Sequence, residues 1–176
     1  YRWIVWLVAL LLATGCAGPG AVDSAQSEAP EVVTTGALAR DFSMLTLDGD
    51  VVTLSGLRGR WVLLNFWATW CGPCRQEMPL LAQLQAKYEP LGFTMLGVNV
   101  EADTTQMEAF LGDVPVTFPV LLDPANRVSK LYDVAAMPST VIVDRKGNIR
   151  FIHQGYQAGD ESVYQDVIRQ LIRERT

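Results

Sequence analysis

The chain of 176 residues is short of positive charge, sulfur, imidazole and long apolar runs. Its 14 Lys and Arg face 19 Asp and Glu, a formal net charge of −5. Phosphate backbones are gripped by positive surfaces, so this balance argues against a nucleic-acid binder. Cysteines stand only at 16, 71 and 74, and the one histidine is His153. Three cysteines cannot staple a small secreted scaffold, and a domain of this length, burying roughly 70% of its unfolded surface, needs no such staples. A zinc site needs four ligands, and the chain has no second cysteine pair to complete one. No apolar stretch reaches the about 20 residues of a comfortable membrane span. With 19% charged and 49% hydrophobic residues, disorder is excluded as well. No internal repeat is visible, so the length predicts one domain with an appendage.

The appendage is the N-terminal segment. Arg2 precedes the apolar run Trp3 to Ala13, which ends in Thr14, Gly15 and Cys16. That length suits the apolar region of a secretory signal. Ala13-Thr14-Gly15-Cys16 resembles a bacterial lipobox, in which the cysteine is lipidated and becomes the mature N-terminus; Ala13 stands where Leu is usual. An uncleaved anchor and ordinary cleavage are the other readings, and all three put the remaining chain outside the cytoplasm. Residues 16–36, rich in Ala, Gly, Pro, Ser, Glu and Val without period, read as a flexible tether or an unconstrained tail. The predicted organisation is a signal over 1–15, the tether over 16–36 and a folded domain over 37–176.

The domain alternates strand and helix signals. Asp41 to Leu47, then Asp48-Gly49, then Val51 to Leu54 predicts a hairpin. Trp61 to Trp67 is the continuous apolar run of a central strand covered on both faces. A helix carrying Met78, Leu81, Leu84 and Tyr88 follows, and Phe93 to Val100 predicts a second buried strand. Shorter signals mark a helix over Thr104 to Leu111, a strand over Pro119 to Leu122 and a helical stretch over Asn126 to Tyr132. Thr140 to Val143 and Ile149 to His153 flank Asp144-Arg145-Lys146-Gly147-Asn148 as a second hairpin. The last helix is expected to open with Asp160 as N-cap and to bury Val163, Tyr164, Val167, Ile168, Leu171 and Ile172, with Arg169, Arg173 and Arg175 near its end. The fold class is α/β, a sandwich with a mixed central sheet flanked by helices.

Chemistry enters at Trp70-Cys71-Gly72-Pro73-Cys74-Arg75-Gln76-Glu77. Cys71 falls where a strand hands over to a helix, and the unpaired N–H groups of a helix start favour a thiolate. A lowered thiol pKa helps most by making the sulfur a good leaving group, so that exchange is fast and reversible. Cys74, one turn further on, can resolve a mixed disulfide. A purely structural disulfide would close a trivially short loop.

Phe66-Trp67-Ala68-Thr69-Trp70-Cys71-Gly72-Pro73-Cys74 resembles the active-site segment of the thioredoxin superfamily. More narrowly, the domain resembles the TlpA/ResA-like group, membrane-tethered extracytoplasmic thiol-disulfide oxidoreductases, many of which serve cytochrome c maturation. The likeness rests on the N-terminal hairpin over Asp41 to Leu54, a central helix-strand insertion over Asp103 to Leu122, and a Glu three residues after the second cysteine, Glu77. It implies a thioredoxin-like sandwich whose redox-active pair is Cys71 and Cys74, with no cofactor or metal beyond that pair.

Other roles follow from the resemblance. Ala136 to Thr140 stands where this fold carries its cis-proline loop, so a cis Met137–Pro138 bond is expected, with the Met137 backbone as a docking edge for an extended substrate. A turn proline before a strand is the plainer reading. Trp67, Trp70, Gly72 and Pro73 are expected to wall the site, although core packing alone would explain Trp67. Asn65 stands where cytoplasmic thioredoxins carry a buried Asp, and an amide cannot titrate. Glu77 is the candidate proton carrier beside Cys74; the alternative is a solvated glutamate favoured by the helix dipole. Pro79 reads as structural, and His153 as an ordinary strand residue.

Gly72-Pro73 resembles the reducing thioredoxins, whose potentials lie near about −270 mV against about −120 mV for a strong periplasmic oxidant. The implied activity is therefore reduction of disulfides in exported proteins, apocytochrome c among the candidates, with electrons from a transmembrane thiol donor. Three alternatives use the same residues differently. One is an oxidase or isomerase on this fold. Another is a peroxidase like the peroxiredoxins, echoed by Phe118 to Pro124, although the expected lone cysteine is missing. The third is a copper carrier using Cys71, Cys74 and His153.

Overall fold

The computed structural model describes residues 36–174. The predicted signal, Cys16, Arg175 and all of the tether before Gly36 lie outside the described residues. The elements run β1 (Ser43–Leu45), β2 (Val51–Thr53), β3 (Trp61–Trp67), α1 (Gly72–Tyr88), β4 (Phe93–Asn99) and α2 (Thr105–Asp113). They continue as β5 (Val120–Leu122), α3 (Arg127–Leu131), β6 (Ser139–Val143), β7 (Ile149–Gln154) and α4 (Asp160–Arg173). This is the mixed α/β thioredoxin-like sandwich expected from the alternation of signals.

Five strands form the main sheet in the order β5-β4-β3-β6-β7. β3 runs parallel to β4, with Trp61 opposite Phe93 and Trp67 opposite Asn99. It runs antiparallel to β6, with Val62 opposite Val143. Being central, β3 is buried at all seven positions, which is why its sequence shows no alternation. The pleat sends Leu63, Asn65 and Trp67 to one face and Val62, Leu64 and Phe66 to the other. On the first face Asn65 meets Glu77 of α1, and Trp67 packs on Phe110 of α2 at 5.6 Å. On the second, Phe66 packs on Tyr132 at 5.7 Å. The β1–β2 hairpin joins the β5 edge through a bridge between Thr46 and Leu121.

α1 buries Met78, Leu81, Leu84 and Tyr88 at helical spacing, and α4 buries Tyr164, Val167, Ile168 and Leu171. Pro79 sits inside α1, where it lacks the N–H that would reach the Arg75 carbonyl. The start of α4 departs from expectation. Gly159, at φ 110°, is the N-cap, and Asp160 is already helical. The Asp160 carboxylate instead accepts from the Gln157 N–H at 2.7 Å and lies 3.0 Å from His153 Nε2. An aspartate so engaged by the preceding loop has no need to cap its own helix.

Leu63 is wholly enclosed in the middle of β3. Leu63→Ala is expected to lower the unfolding free energy by about 3 kcal/mol. Urea denaturation would show this as a lower midpoint at unchanged slope.

Candidate active site

β3 ends at Trp67, and four residues, Ala68 to Cys71, lead from it into α1. The turn is held from the neighbouring strand. Glu101, just beyond β4, accepts the Thr69 N–H at 2.8 Å on one carboxylate oxygen and the Thr69 hydroxyl at 2.6 Å on the other. Asn99 Nδ2 donates to the same carboxylate at 2.8 Å, and Asn99 Oδ1 accepts the Glu101 N–H at 2.9 Å. Sequence reading passed over Glu101. Its only signal was an acidic residue immediately after a buried strand parallel to the one that delivers the cysteines.

Cys71 is the N-cap of α1 and Pro73 lies in its first turn. The Cys71 sulfur accepts the Cys74 N–H at 3.2 Å, taking up one of the donors that a helix start leaves without a partner. The two sulfurs are joined as a disulfide, with Cα atoms 5.3 Å apart. Their exposures differ in a way that matters: Cys71 is 5% exposed and Cys74 0%. Cys71 lines a cleft of about 470 Å³ together with Trp70, Pro73 and the segment Val134 to Met137. A visiting disulfide can therefore approach Cys71 and not Cys74.

The Met137–Pro138 bond across the cleft is cis. Its loop is pinned by the Ser139 hydroxyl on the Ala136 carbonyl at 2.6 Å and the Gly155 N–H on the Pro138 carbonyl at 2.7 Å. Among the described residues no backbone hydrogen bond engages Met137 itself. Trp70 stands 69% exposed at the rim. Trp67 does not wall the cleft: it is enclosed against Phe110 as part of the core, because the pleat of β3 points it into the space between the sheet and α2. Gly72 opens the helix and is likewise absent from the lining.

Glu77 is fully enclosed, which overturns the solvated reading. On α1 it lies three residues beyond Cys74, on the same helix face. One of its oxygens accepts from Asn65 Nδ2 at 2.9 Å, and the same amide reaches the Thr140 hydroxyl at 3.2 Å. The Tyr164 hydroxyl of α4 faces this carboxyl without a well-formed hydrogen bond. Burial drives the Glu77 pKa up to about 7; Asp160 and Glu161 push the same way, while the Asn65 hydrogen bond opposes them. His153 is not brought to the cysteines. It is held by Asp160 and stacks on Phe151. Among the described residues no group of three acidic, histidine or cysteine side chains is disposed to hold a metal ion.

The Glu77 carboxyl sets a pH dependence of stability. Its folded pKa is about 7 against an ordinary value of 4.5, so between these the folded state holds a proton that the unfolded state has lost. Stability is fully present below about pH 4.5 and falls as pH rises through about 7, a loss on the order of 3 kcal/mol. Glu77→Gln is expected to abolish that slope in the disulfide form, as read by denaturant unfolding across pH 4 to 8. A variant with the parent's slope would show that the carboxyl does not titrate there.

Comparison with known proteins agrees with this geometry. The chain matches the Redoxin family over residues 26–168. It is similar to the thioredoxin-like protein YneN of Bacillus subtilis, 42% identical over 126 residues that make up 70% of this chain and 73% of the relative. The thiol-disulfide oxidoreductase ResA of Geobacillus kaustophilus is 37% identical over 123 residues, 70% of this chain and 71% of its own. Among solved structures, the Chlorobium tepidum protein assigned as thiol:disulfide interchange protein DsbE aligns with a TM-score of 0.73 at 39% identity, covering 77% of this chain and 95% of its own. A cysteine pair joined at a helix start, in this fold and with these relatives, identifies the chain as a member of the Redoxin family and a thiol-disulfide oxidoreductase of the ResA kind.

Proposed function

We propose that the protein reduces disulfides in exported proteins outside the cytoplasm. The observation that carries this reading is the inequality of the two sulfurs, one at the cleft and the other buried behind it. In the reduced enzyme the Cys71 thiolate attacks one sulfur of a substrate disulfide and expels the other as a thiolate. The Cys74 thiol then passes its proton to Glu77, and the resulting thiolate attacks the Cys71 sulfur and expels the second substrate sulfur as a thiolate; the two substrate thiolates take up one proton from Glu77 and one from water. The products are a substrate dithiol and the Cys71–Cys74 disulfide. A carboxyl that titrates near neutrality is suited to accept that proton.

The Met137 backbone, with its hydrogen-bonding groups unengaged across the cleft, offers an edge on which an extended substrate segment can add as a strand. Trp70 supplies an aromatic surface at the rim. The N-terminal apolar run and Cys16 support export and tethering to a membrane through a lipidated N-terminus. Two electrons per turnover then come from a thiol donor spanning that membrane. The paired cysteines of an apocytochrome c, which must be reduced before haem is attached, are the candidate substrate. No cofactor beyond the cysteine pair is invoked.

Cys74→Ser is expected to accumulate a mixed disulfide between Cys71 and its client, visible on non-reducing gels and lost on adding thiol. Equal trapping by Cys71→Ser would overturn the assignment of attacker and resolver. Equilibration with glutathione should place the potential below about −200 mV; a higher value would make the protein an oxidant or isomerase instead.

A further inference from the structure

The chain joins its domain at the end remote from the cysteines. Ala39 donates its N–H to the Gly147 carbonyl at 2.8 Å, Ile149 donates to the Ala37 carbonyl at 2.9 Å, and Leu38 bridges Asn148. Residues 37–39 thus run beside the β6–β7 turn. That turn lies level with the start of β3, because Val62 pairs with Val143. Cys71 follows the other end of β3, one strand length or about 20 Å away.

Cations collect where the chain joins. The Arg58 guanidinium lies over Gly147 so closely that a Cβ there would collide with it. Arg145 is tied to the same loop: its Nε donates to the Gly59 carbonyl at 2.6 Å, Gly59 N–H donates to the Arg145 carbonyl at 2.9 Å, and its guanidinium covers the Trp61 ring at 5.2 Å. Lys146 is next in the turn, and Arg40 follows Ala39. All four are exposed, and among the described residues none forms an ion pair. One carboxylate at this end, Glu89 beside Gly92, is exposed, and the others are engaged. Asp144 accepts the Lys146 and Asn148 N–H groups and faces Arg150, Glu174 also binds Arg150, and Asp41 accepts the Ser55 N–H while feeling the charge of Arg58 from beyond ion-pair distance. At the cysteine end the exposed Arg75, over the Phe110 ring, is outnumbered by Glu101, Asp160 and Glu161, so the positive charge of this acidic chain gathers at its point of attachment. Leu38, paired with Asn148 beside the turn, is 68% exposed.

We infer that this face docks on an anionic lipid surface, that of the membrane to which the N-terminal segment tethers the chain. The inference rests on the tethering reading given above. Basic side chains are drawn to anionic headgroups within a Debye length of the surface. Attachment through the N-terminal segment keeps the domain at high local concentration over the bilayer. The cations fan around the chain junction and an exposed leucine rather than converging on one enclosed polar group, a layout suited to a surface and not to a small anion. Docked this way, the Cys71 cleft faces the aqueous side, where exported clients are found.

The test uses the full chain, reconstituted into vesicles of neutral phosphatidylcholine or of phosphatidylcholine with 30% phosphatidylglycerol, a composition on the order of natural anionic content. Lys146 and Lys130 are acylated with a water-soluble reagent and their rates read by peptide mass spectrometry. Lys130, in α3 and exposed, is the internal control. On anionic vesicles Lys146 should react several-fold more slowly than on neutral ones, with Lys130 little changed. The protection should vanish in 1 M salt, where the Debye length is about 3 Å, and in the double variant R40Q/R58Q. Equal Lys146 rates on both vesicles, with the protein floating with both, would overturn docking while leaving the tether intact. A protein that floats with neither would overturn the tether and docking with it.

Discussion

A backbone amide at the start of a helix has no acceptor within the helix, and here the Cys71 sulfur supplies it with one. This contact exists because β3, pinned between β4 and β6, ends at a fixed height, and only four residues, Ala68 to Cys71, separate that end from α1. The carboxylate of Glu101 holds those residues by gripping both the N–H and the hydroxyl of Thr69. The redox chemistry thus depends on the register of the two central strands. A slip of β3 against β4 would part Thr69 from Glu101, and the sulfur would lose its place at the helix start.

The same framework sustains a carboxyl in the core. Enclosing Glu77 is costly, and a single amide from Asn65 offsets only part of the cost. The charges of Asp160 and Glu161 add to it, although they lie more than eighty residues away in the chain. An amide at position 65 is what this arrangement can accommodate: a second carboxyl there would put two like charges in one dry space. The first turn of α4 therefore takes part in setting the proton affinity of a group on α1, through space rather than through bonds.

The two ends of the β3 axis differ in kind. At one, short loops bring a sulfur to the wall of a cleft beside an exposed tryptophan and an unengaged stretch of backbone, all features for transient contact with a polypeptide. At the other, the chain joins the domain through strand pairing, and cations gather around Gly147, whose φ of 93° and missing side chain make room for Arg58. Separating the two by the length of a strand keeps attachment from obstructing exchange.

Most of the architecture was legible in the residue order, since it rests on local physics. An unbroken apolar run reads as a central strand, Asp48-Gly49 and Lys146-Gly147 as hairpin turns, and the spacing from Met78 to Tyr88 as a helix. The cysteine pair at a strand-helix junction announces exchange chemistry. What only the fold decided was which polar and aromatic groups meet: that Trp67 lies in the core while Trp70 stands at the rim, that Glu77 is dry, that Glu101 clamps Thr69, and that Asp160 serves a loop and a histidine rather than capping its helix. Propensity and period act over a few neighbouring residues and are written along the chain. Burial and through-space charge depend on partners tens of residues apart, and those come into being only when the sheet assembles.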